Sequence, residues 1–350
     1  MNSDRLPFLD GLRGWASLVV LVAHLFSPHI PPYACSIFCN SRLAVAMFFV
    51  VSGFSLSRIS TGRLLARSAI ARYPRLALPC AAHALVDCAL FPAAWWIDLA
   101  APVVVFLPAA QSPADMAWLR SSVLSHWNQL WTLSVELTAS WAIFLWIAVR
   151  PFVRRSEHAF APILLAAYVS SPNYAFFVWG VGMSSVWTTI SAKAPRPFAG
   201  AALVAAVFAV EALPKPDYRI RDAAMAFQTA CLVAAAAFSP FVRDAFSCRL
   251  SAFLGRISFS LYLCHMYVFR AMTRTLQPTF VGTVWVNAED WPELRTSLLS
   301  VPVAILWAVI TSPVDAWAIG IAKRFACFFL RAEEEEDLEE EPMISIEQNL

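Results

Sequence analysis

Residues 6–26 read LPFLDGLRGWASLVVLVAHLF. The run is apolar apart from small residues and three groups that carry or can take a charge, Asp10, Arg13 and His24. Arg13 and His24 are eleven positions apart, three helical turns plus about 20°, so a helix projects both from one face. The rise between them is roughly 16 Å, about half the hydrocarbon thickness of a bilayer. With Arg13 at the cytoplasmic boundary, His24 falls near the midplane. Ionisable groups at such depth are costly and mark function by default. Arg13 suits an anionic group arriving from the cytoplasm, and Asp10, one turn earlier, can orient it. A neutral imidazole at His24 can take a proton from a hydroxyl, the task of a general base. The residues alone fit a second reading equally well: a packed histidine bonded to a neighbouring helix, with Arg13 snorkelling to the surface.

The rest of the chain extends this membrane reading. Of 350 residues, 59% are hydrophobic and 14% charged, with a mean hydropathy of +0.61. A soluble domain is about 45–50% apolar and about 25% charged, and its single core could not bury such an excess. A net charge of +2 gives no grip on a polyanion, which excludes a nucleic-acid binder. The expected fold is all-α, a polytopic membrane protein of about ten transmembrane helices. Their apolar stretches are Leu12–Ser27, Leu43–Ile59, Leu76–Phe91, Leu130–Val149, Phe160–Ser171, Tyr174–Ile190, Phe198–Leu213, Ala223–Ser239, Ile257–Leu276 and Ser297–Ala322. The first reads as a retained signal-anchor. Leu99–Ala110 is apolar but short and carries Pro102 and Pro108, so a re-entrant or interfacial piece is expected there. With both termini cytoplasmic, ten spans put 18 of the 26 basic residues inside and 8 outside. An eleventh span after the third would reverse every later loop and spoil that asymmetry. Residues 1–330 then form the membrane domain, and 331–350, with the acidic run Glu333 to Glu341, a disordered cytoplasmic tail. The eight cysteines show no metal-ligand spacing, and no metal or permanently bound cofactor is expected. Cys35 and Cys39 share one loop, either as a disulfide on the outer side or as two free thiols.

Two further groups of polar residues stand out. RISTGRLLARSAIARYPRLALP places five arginines, Arg58, Arg63, Arg67, Arg72 and Arg75, in a link ahead of the third span. The patch fixes topology, and it also suits phosphates, which guanidinium groups hold in a bidentate way. WTLSVE puts Glu136 about 7 Å into the fourth span from its outer end, where a carboxylate needs a partner or a watery cavity. ISFSLYLCH puts His265 roughly 14 Å beyond Arg256, again near the midplane, with Tyr262 one turn before it. His265 reads as a second proton-handling group or as a partner orienting another polar side chain. Gly53 in FFVVSGFSLSR reads as a close-packing site between helices, with Ser52 beside it.

LDGLRGWASLVVLVAH, FFVVSGFSL, RYPRLALP, WTLSVE and ISFSLYLCH, in this order, resemble the acyltransferase-3 family of integral-membrane acyltransferases. The resemblance runs from about Leu6 to Ala322. It implies ten helices and the transfer of an acyl group, acetyl by default, from acyl-CoA as co-substrate to a hydroxyl of a sugar, lipid or small metabolite. It further implies a catalytic first-helix pair, Arg13 and His24, with His24 as the base. Acyl-CoA binding would fall to Arg67, Arg72 and Arg75, while Glu136 and His265 match recurrent polar positions. The family's fourth-helix motif often reads W-S-L-x-x-E-E, whereas Thr132 and Leu137 stand here at the Ser and the second acid. The partners expected are acyl-CoA, a hydroxyl-bearing acceptor and the lipid bilayer, whether plasma or internal membrane. A different class, a proton-coupled transporter or flippase, also fits midplane His and Glu, although no matched halves with interrupted helices are visible.

Overall fold

A computed structural model describes residues 6–26, 37–59, 62–90, 130–153, 159–191, 196–215, 217–281 and 291–330. Eleven α-helices are described: α1 (Pro7–Phe26), α2 (Ser41–Leu56), α3 (Arg63–Leu90), α4 (Trp131–Val149), α5 (Phe160–Ser170), α6 (Pro172–Ser191), α7 (Pro197–Ala212), α8 (Tyr218–Phe238), α9 (Pro240–Ser247), α10 (Arg249–Val281) and α11 (Trp291–Phe329). No strand occurs among the described residues. Local chemistry sets several starts. Asn40 Oδ1 accepts from the Leu43 amide at the head of α2, and Asp217 Oδ1 accepts from that of Ile220 at the head of α8, both at 2.9 Å. Pro7, Pro172, Pro197 and Pro240 each open a helix, where a missing N–H costs nothing.

Each of the ten expected stretches falls on a different helix, and α9 is additional. Five helices are long and apolar enough to cross a membrane: Pro7–Phe26, Trp131–Phe152, Tyr218–Phe238, Arg249–Leu276 and Leu294–Phe329. Ser41–Leu56, Phe160–Ser170 and Phe198–Ala212 are apolar but shorter. At 1.5 Å per residue α5 rises only about 16 Å against a core of about 30 Å. The chain is therefore an all-helical bundle with membrane-type helices, and the count of ten crossings is not fixed by helix length.

Two expectations are corrected. The arginine-rich link is not a link: α3 starts at Arg63, so Arg67, Arg72 and Arg75 are helical and lie within the bundle's third helix. Ala, Leu and Arg are strong helix formers, and the flanking turns tolerate Pro74 and Pro79 inside α3. Gly62, with φ of 85°, makes the turn that allows this early start. Likewise α1 begins at Pro7 and not at Leu12, which places Arg13 about 9 Å inside it and His24 in its last turn. Leu99–Ala110, the tail 331–350 and Cys35 lie outside the described residues. Cys39 is disulfide-bonded.

The core joins α1 to α10, α10 to α11, α11 to α3 and α2 to α6. Glycine makes two of these approaches possible. A Cβ on Gly14 would collide with the Leu254–Gly255 backbone of α10, and one on Gly53 with the Phe177 carbonyl of α6. Gly53 is thus the close-packing site expected of it. Residues that the charge asymmetry assigns to one face also meet. Asn40 Nδ2 donates to Glu211 Oε1 at 2.9 Å, and Ser297 Oγ to the Leu25 carbonyl at 2.9 Å. The Arg196 amide donates to the Phe238 carbonyl at 2.9 Å on the opposite face.

Candidate active site

The polar residues of the bundle gather in two adjoining places. The lower one is a cavity of about 170 Å³ between α1, α2, α3, α4, α10 and α11. Four arginines reach it, Arg13, Arg72, Arg75 and Arg256, against two carboxylates, Glu136 and Asp315. Arg13 pairs loosely with Asp10 on its own helix, at 3.6 Å. Arg72 is 3% exposed and is held through two of its nitrogens. Its Nη2 donates to Glu136 Oε1 at 2.6 Å and its Nε to Ser140 Oγ at 3.0 Å. Ser52 Oγ also donates to Glu136 Oε1, at 3.4 Å. The partner that a carboxylate in the fourth span requires is thus Arg72, and the pair ties α3 to α4. Arg75, one turn further along α3, keeps its Nη1 without a hydrogen-bond partner.

The second place lies past Tyr262, which lines the cavity. Its hydroxyl shares a 2.6 Å hydrogen bond with Thr132 Oγ1, and its ring meets Phe48 edge-on. Beyond it stand the two histidines. His265 is buried at 1% exposure, whereas His24 is exposed. Their rings stack nearly parallel, with His24 Nδ1 3.0 Å from His265 Nε2. His265 Nδ1 lies 2.8 Å from the Tyr262 carbonyl. That carbonyl can only accept, so His265 Nδ1 carries the proton and Nε2 of the neutral ring is left as an acceptor. His24 Nδ1 must then donate to it. The chain of bonds ends with an unprotonated Nε2 on His24, the lone pair that a general base needs.

The sequence candidates therefore divide. His24 and His265 come together as one unit; Arg13, Arg72, Arg75 and Glu136 line the neighbouring cavity. Arg67 is not among the residues lining it. Arg256 and Asp315 were passed over as site residues. Asp315 is the only acidic residue in the stretch Ser297–Ala322, so the cost of a buried charge was the available signal. Among the described residues no cluster of His, Cys, Asp and Glu could hold a metal ion.

The acyltransferase-3 family model, described as an acyltransferase domain, matches residues 6–313. No curated protein and no solved structure matches the chain.

Proposed function

The chain belongs to the acyltransferase-3 family, and on that footing we propose that it is a membrane-embedded O-acyltransferase. Its family and its apolar helices make it a membrane acyltransferase in general terms. The finer reading is transfer of an acyl group, acetyl by default, from acyl-CoA to a hydroxyl of a sugar, lipid or small metabolite. Ten spans with both termini cytoplasmic form part of this reading, supported by the like-assigned residues that meet at each face.

The observation that carries the proposal is the hydrogen-bond chain from the Tyr262 carbonyl through His265 to His24. It presets His24 as a base with an accessible ring. The acceptor hydroxyl gives its proton to His24 Nε2 as its oxygen bonds to the thioester carbonyl carbon. The tetrahedral adduct then collapses and the carbon–sulfur bond breaks. The leaving sulfur takes the proton back from the imidazolium, so the products are an ester and the free thiol of CoA. His265 holds the His24 ring and its tautomer. The guanidinium groups of Arg67, Arg72 and Arg75, set in order along α3, with Arg13 opposite, supply positive charge for the phosphates, and Glu136 fixes the orientation of Arg72.

General-base help is worth about 10²–10⁴-fold in rate. His24→Ala should lose that factor in acyl transfer while the purified protein keeps its size-exclusion profile. Near-normal turnover of labelled acetyl-CoA by that variant would sink the mechanism.

A further inference from the structure

The cavity holds an unused donor and an unused acceptor on facing helices. Arg75 Nη1 on α3 and Asp315 Oδ1 on α11 are buried atoms without a hydrogen-bond partner, although both residues line the cavity. They lie within electrostatic reach of one another. The carboxylate of Asp315 is held in place from its other side, since Ser260 Oγ donates to Oδ2 at 2.8 Å. Buried polar atoms are almost always satisfied, so two orphans lining one cavity from different helices point to a group that completes them.

Their chemistry narrows that group. A guanidinium N–H only donates, and a carboxylate oxygen only accepts. The missing group must accept and donate at once. A phosphodiester or a thioester offers acceptors without the donor, an ammonium offers donors without the acceptor, and a hydroxyl offers both but from a single atom. A secondary amide carries both, its carbonyl on one edge and its N–H on the other, which suits two residues on opposite walls. The size of the cavity agrees. At about 170 Å³ it is below the usual range of about 300–1,000 Å³ for a site enclosing a whole ligand. It fits a narrow arm better than a nucleotide.

We propose that Arg75 and Asp315 bind a secondary amide in the pantetheine arm of the acyl donor, with Asp315 as the residue that selects for that arm. The proposal rests on the acyl-CoA reading of the same cavity. It refines the duties of the polar residues: the charge for the phosphates comes chiefly from Arg67, Arg72 and Arg13, and Arg75 adds amide recognition to its own share of that charge.

Calorimetry on the detergent-purified protein tests it, with two probes, coenzyme A and its nucleotide part lacking the pantetheine arm. Asp315→Ala should weaken coenzyme A by about tenfold or more, the loss of one hydrogen bond to a charged group. It should leave the nucleotide fragment within about twofold. Asp315→Asn keeps shape and an acceptor oxygen and should recover most of the loss, which also separates recognition from misfolding. Equal weakening of both probes, or of neither, overturns the amide assignment. If the wild-type protein binds neither probe, the acyl-CoA reading itself falls, and this one with it.

Discussion

Two buried histidine networks share helix α10 and face opposite ways. His265 turns toward α1 and ends in the accessible ring of His24. Tyr267, two residues on and thus about 200° around the helix, turns toward α3 and α11. There Trp307 Nε1 donates to the Tyr267 hydroxyl at 2.5 Å, and that hydroxyl lies 2.8 Å from His83 Nδ1. One turn along α3 from His83, Arg270 Nη2 donates to both carboxylate oxygens of Asp87 at 2.8 Å. His83 and Asp87 are 1% and 0% exposed. Both networks contain a neutral histidine with a fixed partner, yet only one presents a nitrogen to anything that could react. A base needs access as well as a tautomer. By that criterion the proposed reaction belongs to the His24 side, and the His83 side is a joint between α3, α10 and α11.

The comparison breaks most visibly at the ion pair. Arg270→Ala removes the guanidinium from the fully buried Asp87 carboxylate, and breaking a buried ion pair typically costs about 3–5 kcal/mol. The expected outcome is a large drop in thermal midpoint, with turnover per folded molecule unchanged at a temperature where the variant is still folded. Loss of turnover without loss of stability would move Arg270 from the joint to the reaction. On the other network the sign is reversed. His265→Leu removes the acceptor for His24 Nδ1 and lets the ring turn. Misplacement of a catalytic group on this scale costs about a hundredfold in rate, so kcat should fall by about that factor with KM for acetyl-CoA little changed. His265→Gln, whose carbonyl can accept the same bond, should restore part of it. Failure of Gln to rescue, with both variants folded, would mean that His265 does more than hold the ring.

The unequal legibility of these two networks has a physical cause. Apolar periodicity alone located ten helices, because the cost of unsatisfied backbone in lipid leaves few alternatives. The Arg13–His24 spacing singled out the histidine proposed as base, since a helix converts an interval of eleven into one face. What spacing along one helix cannot carry is which helices meet. Glu136 was visible as a carboxylate in need of a partner, but that the partner was Arg72 required α3 to begin at Arg63 rather than at Leu76. A basic stretch ahead of an apolar one looks like a loop when only hydropathy is weighed, although its Ala, Leu and Arg favour helix. His83, Asp87 and Asp315 were legible by the rule that picked out His24, Glu136 and His265, being titratable groups inside apolar runs. Their partners Tyr267, Arg270 and Ser260 all stand on α10, which spacing along α3 or α11 does not reveal.

The mildest test bears on His83 itself. His83→Leu removes the ring nitrogen that lies 2.8 Å from the Tyr267 hydroxyl and leaves the bond donated by Trp307 in place. A hydrogen bond of this kind contributes about 0.5–1.5 kcal/mol net. Stability should fall by that amount, read as a shift in the thermal midpoint, while acyl transfer stays within about twofold of wild type. The two readouts must separate for the joint to be only a joint. Tyr267 and His265 sit on one helix, so a rigid α10 that transmitted a repacked Tyr267 to the His24 ring would lower both together. Independence of turnover from this substitution is what distinguishes two networks on opposite faces from one network running through the helix.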